Sequence, residues 1–469
     1  MENVKRNPKV KLPARAGIWN IISGLVARGA GVVGTPIFTR LLTPEEYGLY
    51  PLYSTWLSLL TALISTGISG AVIYRGLQKY RDDNERFISA AIGFGLTGSG
   101  IALLAVLLLG GWLSAVSGLD TSVLIALVSE CALSTVIAIR SAELRYRYKY
   151  KPLAFINIFS AMATPALSVL FVYLTPYRES ARILGSLTAA LIIALPMLTR
   201  SLRSGGRLYD KEAWRYLSHG TMPLLPHYLS SALILRVSEI VVGRVHGQAA
   251  LAKYSVGISV GLALTFLTNA LTQVISPWII RKLASRCGGK IEGVVTPALK
   301  IILLASLFVM ALAPEILSVI TTSEYRDALP TVYPLALSVP AMLLSGLEKS
   351  AESYYERGIK SSLPTVVTAV ISAVCAILIL PRSDYRLSAL FTLGAYLILS
   401  TLSVMTFKKI SGEHLVIPRK CILLFAFTAA YGVLLFAMRD VFISRLLLII
   451  PLVPLLLNVA SRVLKMIRE

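Results

Sequence analysis

Apolar positions along the chain gather into about fourteen segments, each close to the 20 residues a helix needs to cross a hydrocarbon core. The first spans 18–39, the second 50–74, the seventh 218–242 and the last 446–464, with most of the basic residues in the short connections. The pattern predicts an all-α, polytopic membrane protein whose chemistry takes place within the bilayer. The largest connection, roughly Pro314 to Leu329, is too short to fold as a separate domain.

Two hairpins repeat. The first reads Arg40, nine residues, then Tyr50, and the seventh reads Arg244, nine residues, then Tyr254, an offset of 204 residues in both cases. Carried forward, the offset aligns Thr61, Ser65 and Ser69 with Thr265, Asn269 and Gln273. Spans two and eight therefore each carry a polar stripe on one helical face. The first consists of Ser54, Ser58, Thr61, Ser65 and Ser69; the second adds Thr268, Thr272 and Ser276 to its aligned members. Six spans separate the copies, so both run the same way across the membrane. Two six-helix lobes related by an axis along the membrane normal follow. The expected boundaries are a cytoplasmic N-terminal segment at 1–17, a first lobe at 18–200, a linker at 201–217, a second lobe at 218–407, and two further spans with a tail at 408–469.

Composition agrees: 55% of the 469 residues are hydrophobic and 15% charged, and the mean hydropathy is +0.72. A net charge of +22 would suit nucleic acid if the basic residues formed one patch. They instead concentrate in the even-numbered loops and at both ends, including the runs Arg145 to Lys151 and Arg200 to Arg207. By the positive-inside rule both termini face the cytoplasm of a cell membrane, and no nucleic-acid partner is implied. The N-terminal 17 residues read as an uncleaved lead into the first span. Cys131, Cys287, Cys375 and Cys421 have no paired spacing, so neither a disulfide framework nor a metal site is expected.

Charges inside the spans are the functional candidates, because an intramembrane ion needs a partner or a wet cavity. Arg28 lies near the middle of span one, with Asn20, Gly24, Gly31 and Thr35 within about a quarter-turn of it. An anion-binding face is the expectation, with a structural arginine bonded to carbonyl groups as the alternative. Arg236 in span seven is the counterpart, with Glu239 three residues on as a neutralising partner. His227, Ser230, Ser231 and Ser238 lie on the opposite face, and the sequence does not say which face meets the cavity. The candidate binding set is Arg28, Arg236, Asn20, Thr35, Asn269 and Gln273. Glu130, isolated in an apolar span, and Glu239 are candidates for ion coupling, and a hydrogen-bonded packing role for Glu130 stands beside that reading. Glu348 and Glu352, near Lys349 and Arg357, read as interfacial.

In the stretch TRLLTPEEYGLYPLYSTW, Thr43 can cap a helix, Pro44 fits its first turn, and Glu45 and Glu46 complement the dipole. Tyr47, Tyr50 and Tyr53 supply interfacial aromatics, so Thr43, Pro44, Tyr47 and Gly48 read together as a hinge and anchor, and individually as an ordinary capped helix start at the bilayer surface. This run, after a Gly-rich first span, resembles the polysaccharide repeat-unit flippases. Their superfamily also holds lipid II flippases and multidrug and toxin exporters. The resemblance implies alternating access by two lobes around a central cavity and a polyprenyl-pyrophosphate-linked glycan as cargo. It implies the bilayer and other polysaccharide-assembly proteins as partners, and no cofactor, with the coupling ion open. Guanidinium forks match phosphate oxygens, and Thr, Asn and Gln suit sugar hydroxyls.

A lipid II flippase remains open on the same residues. A multidrug exporter would carry acidic residues in its cavity, where Arg28 stands. A membrane polymerase or ligase would need catalytic groups gathered on an outer loop, and the sequence has no Ser/His/Asp or HExxH set there. No Walker motif is present either.

Overall fold

The computed structural model describes residues 34–284, 291–355, 358–412 and 415–468, and among them every regular element is helical. Residues 34–41 close the first helix. The chain then runs through α1 (Pro44–Thr61), α2 (Ile73–Lys79), α3 (Asn84–Ser117), α4 (Thr121–Tyr146), α5 (Tyr150–Leu174) and α6 (Ala181–Gly205). A short α7 (Lys211–Thr221) leads to α8 (Leu225–Val245), α9 (Gly247–Gly261), α10 (Thr265–Ala284), α11 (Glu292–Ile320) and α12 (Leu329–Ser353). Next come α13 (Gly358–Ile379), α14 (Ser388–Ser411), α15 (Pro418–Ala437), α16 (Phe442–Ile449) and α17 (Leu452–Arg468).

Ten helices among the described residues are long and apolar enough to cross a membrane, and the bent pair α9 and α10 makes eleven. Of the fourteen spans expected, the other three are the first, mostly outside the described residues, and the second and seventh. Both of these are helical, but hydroxyl groups in one and charges in the other lower their apolar character. α3 to α6 pack on one another, and α8 to α14 form a second set against which α15 and α17 lie through α11. α1 bridges the two sets, packing on α4 and on both α8 and α9.

The start of α1 follows from its sequence. The Thr43 hydroxyl accepts the Glu46 N–H at 3.3 Å, and the Glu46 carboxylate accepts the Thr43 N–H at 2.9 Å, a closed capping box behind Pro44. Further along, α1 gives way to π turns at Ala62–Thr66 and Ile68–Val72, and Gly70 leaves helical geometry at φ −81°, ψ −127°. Its second-repeat counterpart is interrupted as well, by a 44° bend between α9 and α10. Several hydroxyls near the break turn back on their own helix: Thr61 donates to Ser58 O, Thr66 to Thr61 O and Ser69 to Ser65 O.

Two boundaries differ from expectation. The linker 201–217 is largely helical and the seventh span starts at Leu225, because Asp210 caps a separate amphipathic helix, accepting the Glu212 and Ala213 N–H groups. Burial pushes the Asp210 carboxyl up, but those N–H groups and the Arg86 guanidinium at 2.6 Å outweigh it and hold it below the usual carboxylate range. The loop expected from Pro314 is instead the end of α11 and a 3-10 turn, Ser323–Ala328. Pro314 is accommodated inside a helix, as membrane helices permit.

The C-terminal hairpin is pinned by Arg445, 3% exposed at its side chain, which forks onto Glu315 of α11 at 2.8 and 2.5 Å and also donates to Ala311 O. Glu315 is partly exposed, so Arg445→Ala should cost on the order of 2 kcal/mol, below the range for a fully buried pair. Loss of protease resistance at 438–442 in the otherwise intact chain is the measurement.

Candidate functional site

Arg28 and Asn20 lie outside the described residues. Thr35 is buried in the last turns of the first helix. Asn269 and Gln273 share the exposed face of α10, whereas Thr268 beside them is buried. Arg236 points its Nη1 at both oxygens of Glu239, at 2.8 and 3.1 Å. Glu239, 2% exposed, also accepts the Thr55 hydroxyl of α1 at 2.6 Å. The i,i+3 neutralisation is therefore present, and its carboxylate ties α8 to α1. The opposite face of α8, with His227 and Ser231, turns toward α12.

Glu130, 7% exposed, is not isolated. Its Oε2 accepts the Tyr53 hydroxyl at 2.6 Å and the Ser186 hydroxyl at 2.9 Å, joining α4 to α1 and α6. These partners stand 77 and 56 residues away in the chain, beyond the reach of any local pattern.

The tyrosines of the α1 start are not at a lipid interface. Tyr47 and Tyr53 are buried. The guanidinium of Arg182 on α6 sits over Phe38, Tyr47 and Tyr50 at 4.5, 4.7 and 4.1 Å, a cation held by three aromatic faces. Tyr47 also meets Tyr325 edge-on, with ring centres 5.9 Å apart.

Around these rings the two helix sets close on each other. Arg40 and Thr39 donate to the Val319 and Ile320 carbonyls at 3.0 and 3.2 Å, and Leu52 lies against Gly243. At Gly48 a side-chain carbon would overlap the Gln248 carbonyl oxygen. Glycine is required there because two backbones touch. This closure lies at the end of the molecule that carries the odd-numbered loops. Toward the other end, Gly70 approaches the Tyr228 hydroxyl, which a Cβ would meet at 2.7 Å.

The sequence reading missed one cluster. Glu348 and Glu352 are each 1% exposed, not interfacial, because α12 is sheathed by α10, α11 and α14. Lys349 between them contacts the His227 ring of α8 and lines a cavity of about 170 Å³. The sequence signal was available: two carboxylates one turn apart flanking a lysine at the end of an apolar span.

Two sets of membrane-length helices meeting through one bridging helix define a multi-pass membrane protein with the flippase and multidrug-exporter fold. The chain belongs to the polysaccharide biosynthesis protein family, whose model matches residues 14–282. Among solved structures it resembles the lipid II flippase MurJ in an inward closed conformation, with a TM-score of 0.72 at 13% identity, covering 96% of this chain and 99% of that one. It also resembles an inward-facing multidrug resistance MATE family transporter of the MOP superfamily, with a TM-score of 0.61 at 13% identity, covering 85% and 96%. A third is a MOP superfamily transporter from Pyrococcus furiosus, at 0.57 and 13% identity over 84% and 94%, described as having a binding pocket of reverse polarity. A search of curated proteins returned no match.

Proposed function

We propose that the protein is a flippase that moves a polyprenyl-pyrophosphate-linked oligosaccharide from the inner to the outer leaflet of the cell membrane by alternating access. Membership of the polysaccharide biosynthesis family is the observation that carries this reading. The closure of α1 on α8 and α9 supports its mechanism. With both termini cytoplasmic, the closed end faces outward. Arg28 and Arg236 bind the pyrophosphate, with Thr35 and Asn20 beside Arg28; Asn269 and Gln273 meet sugar hydroxyls. The polyprenyl tail stays in lipid.

Cargo with roughly two negative charges moving outward across a cytoplasm-negative membrane releases about 4–5 kcal/mol per 100 mV. The membrane potential can thus drive the cycle, with cation coupling through Glu130 or Glu239 as its complement.

Reconstitution with a fluorescent polyprenyl-pyrophosphoryl sugar tests this. Arg28→Ala should cut transport at least tenfold, the effect of losing about 1.5–3 kcal/mol of charged hydrogen bonding, while the protein still folds. Transport of lipid II alone, or of cationic drugs alone, would replace the proposed cargo. Undiminished transport in Arg28→Ala would remove that residue from the site.

A further inference from the structure

The closed seam between the two helix sets holds two polar groups that no neighbour satisfies. On the first set, Nη1 of Arg182 is buried and meets no hydrogen-bond partner among the described residues. Across the seam, Tyr325 is 0% exposed and its hydroxyl is likewise unpaired among them. Both side chains lean on one ring: the Arg182 guanidinium lies 4.7 Å from the centre of Tyr47, and Tyr325 meets Tyr47 edge-on. A buried donor without an acceptor is costly, so two of them at one ring need an explanation.

Packing alone does not supply it. Three aromatic faces attract the charge of Arg182, but they do not replace the oxygen acceptors that its in-plane N–H groups suit. Glu130 could have served, yet its Oε2 is committed to Ser186, one turn further along α6, and to Tyr53. The other arginines of this rim do find acceptors: Arg40 donates to the Val319 carbonyl and Arg178 to the Leu41 carbonyl. Tyr325 is also fixed in place, because Asp327 of the same 3-10 turn is clamped by Lys253 of α9 and by Arg386, at 3.1 and 3.2 Å. Glu45 and Glu324 act on Tyr325 electrostatically, but both are exposed, where water screens them, and its hydroxyl stays unpaired.

We infer that this seam is a phosphate site, in which Arg182 of the first set and Tyr325 of the second donate to one phosphate group that enters when α1 draws back from α9. The donors define the ligand. A guanidinium and a phenol both give hydrogen bonds, and a phosphate carries the charge and the several lone pairs to accept from both. Tyr47 and Tyr325 belong to opposite sides of the seam, so its opening parts these rings and exposes Nη1 and the hydroxyl together. The bonds then formed are charge-assisted, roughly twice as strong as neutral ones. The phosphate can come from a phospholipid headgroup or from the pyrophosphate of a lipid-linked glycan. On the flippase reading, on which only this role rests, the second source makes the seam the last contact of the cargo before release, separate from Arg28 and Arg236.

Equilibrium binding of radiolabelled inorganic pyrophosphate to the full-length chain, in a phosphate-free maltoside detergent, tests the site. The background is Gly48→Ala, in which the seam opens more readily. Adding Tyr325→Phe or Arg182→Gln should weaken a binding component about tenfold, the loss of one hydrogen bond to a charged group. Adding Arg28→Ala should leave that component in place. Tyr325→Phe keeps the ring and its contact with Tyr47, so it carries the decision if Arg182→Gln does not fold. Unchanged binding in Tyr325→Phe would make the hydroxyl a packing group and overturn the site.

Competition distinguishes the sources. Displacement of the label by polyprenyl pyrophosphate but not by phosphatidylglycerol supports the site and assigns it to cargo. Displacement by both at similar concentrations supports it as a general lipid-phosphate site, and displacement by neither overturns it. If the chain moves no lipid-linked glycan in proteoliposomes, the flippase reading fails, and the Tyr325→Phe comparison still decides the site.

Discussion

Gly48→Ala is expected to lower transport by about a hundredfold while the chain still reaches the membrane. Overpacking costs about 1–3 kcal/mol in ordinary cores. At Gly48 the obstacle is the Gln248 carbonyl oxygen, a backbone atom that cannot rotate away, so the upper end of that range applies. At roughly 1.4 kcal/mol per factor of ten, the closed arrangement of α1 against α9 becomes about a hundred times less populated. A cysteine at the buried position Tyr325, introduced into a chain lacking its four native cysteines, reports the change. A membrane-impermeant maleimide should label it faster in Gly48→Ala than in the parent. Equal labelling and unimpaired transport would mean that the contact of α1 with α9 does not govern access.

Glu130→Ala should destabilise the protein by about 2–4 kcal/mol, since it strands the buried Tyr53 hydroxyl and opens a void, while the Ser186 hydroxyl falls back on the Ile183 carbonyl. Glu130→Gln keeps an acceptor for both hydroxyls and should cost less than half as much. Chemical denaturation in detergent separates the two variants. Transport separates the two roles: a folded Glu130→Gln with full activity makes the carboxylate a packing group, and a folded but inactive one makes its ionisation part of the cycle. Equal stability of Glu130→Ala and the parent would contradict the hydrogen-bond geometry itself.

What could be read from the sequence was whatever depends on neighbours along the chain. Runs of apolar residues place the helices because lipid satisfies no backbone group, and the capping box of Thr43 and Glu46 is visible in four consecutive positions. The Arg236 pairing with Glu239 is likewise local. Partners across the bundle were hidden: nothing near Glu130 in the chain announces Tyr53 or Ser186, and nothing near Arg182 announces a cage of three rings. The misplacement of Glu348 and Glu352 has the same origin, because a polar helix end looks interfacial until the helices that cover it are known. At Pro314 the general rule that proline ends helices gave way to the bilayer, where an interrupted helix costs less than an exposed loop. Arg28, the strongest candidate from the sequence, lies outside the described residues and rests on the transport experiment.

The wide turns at Ala62–Thr66 and Ile68–Val72, with the break at Gly70, make the continuous run from α1 into α2 a poor torsion bar. Twist applied near Tyr47 dissipates in these loosened turns before it reaches Lys79, so the two halves of one helix can swivel out of phase. For the alternating access proposed above, one end can then shut before the other parts, and an occluded intermediate is the expected consequence.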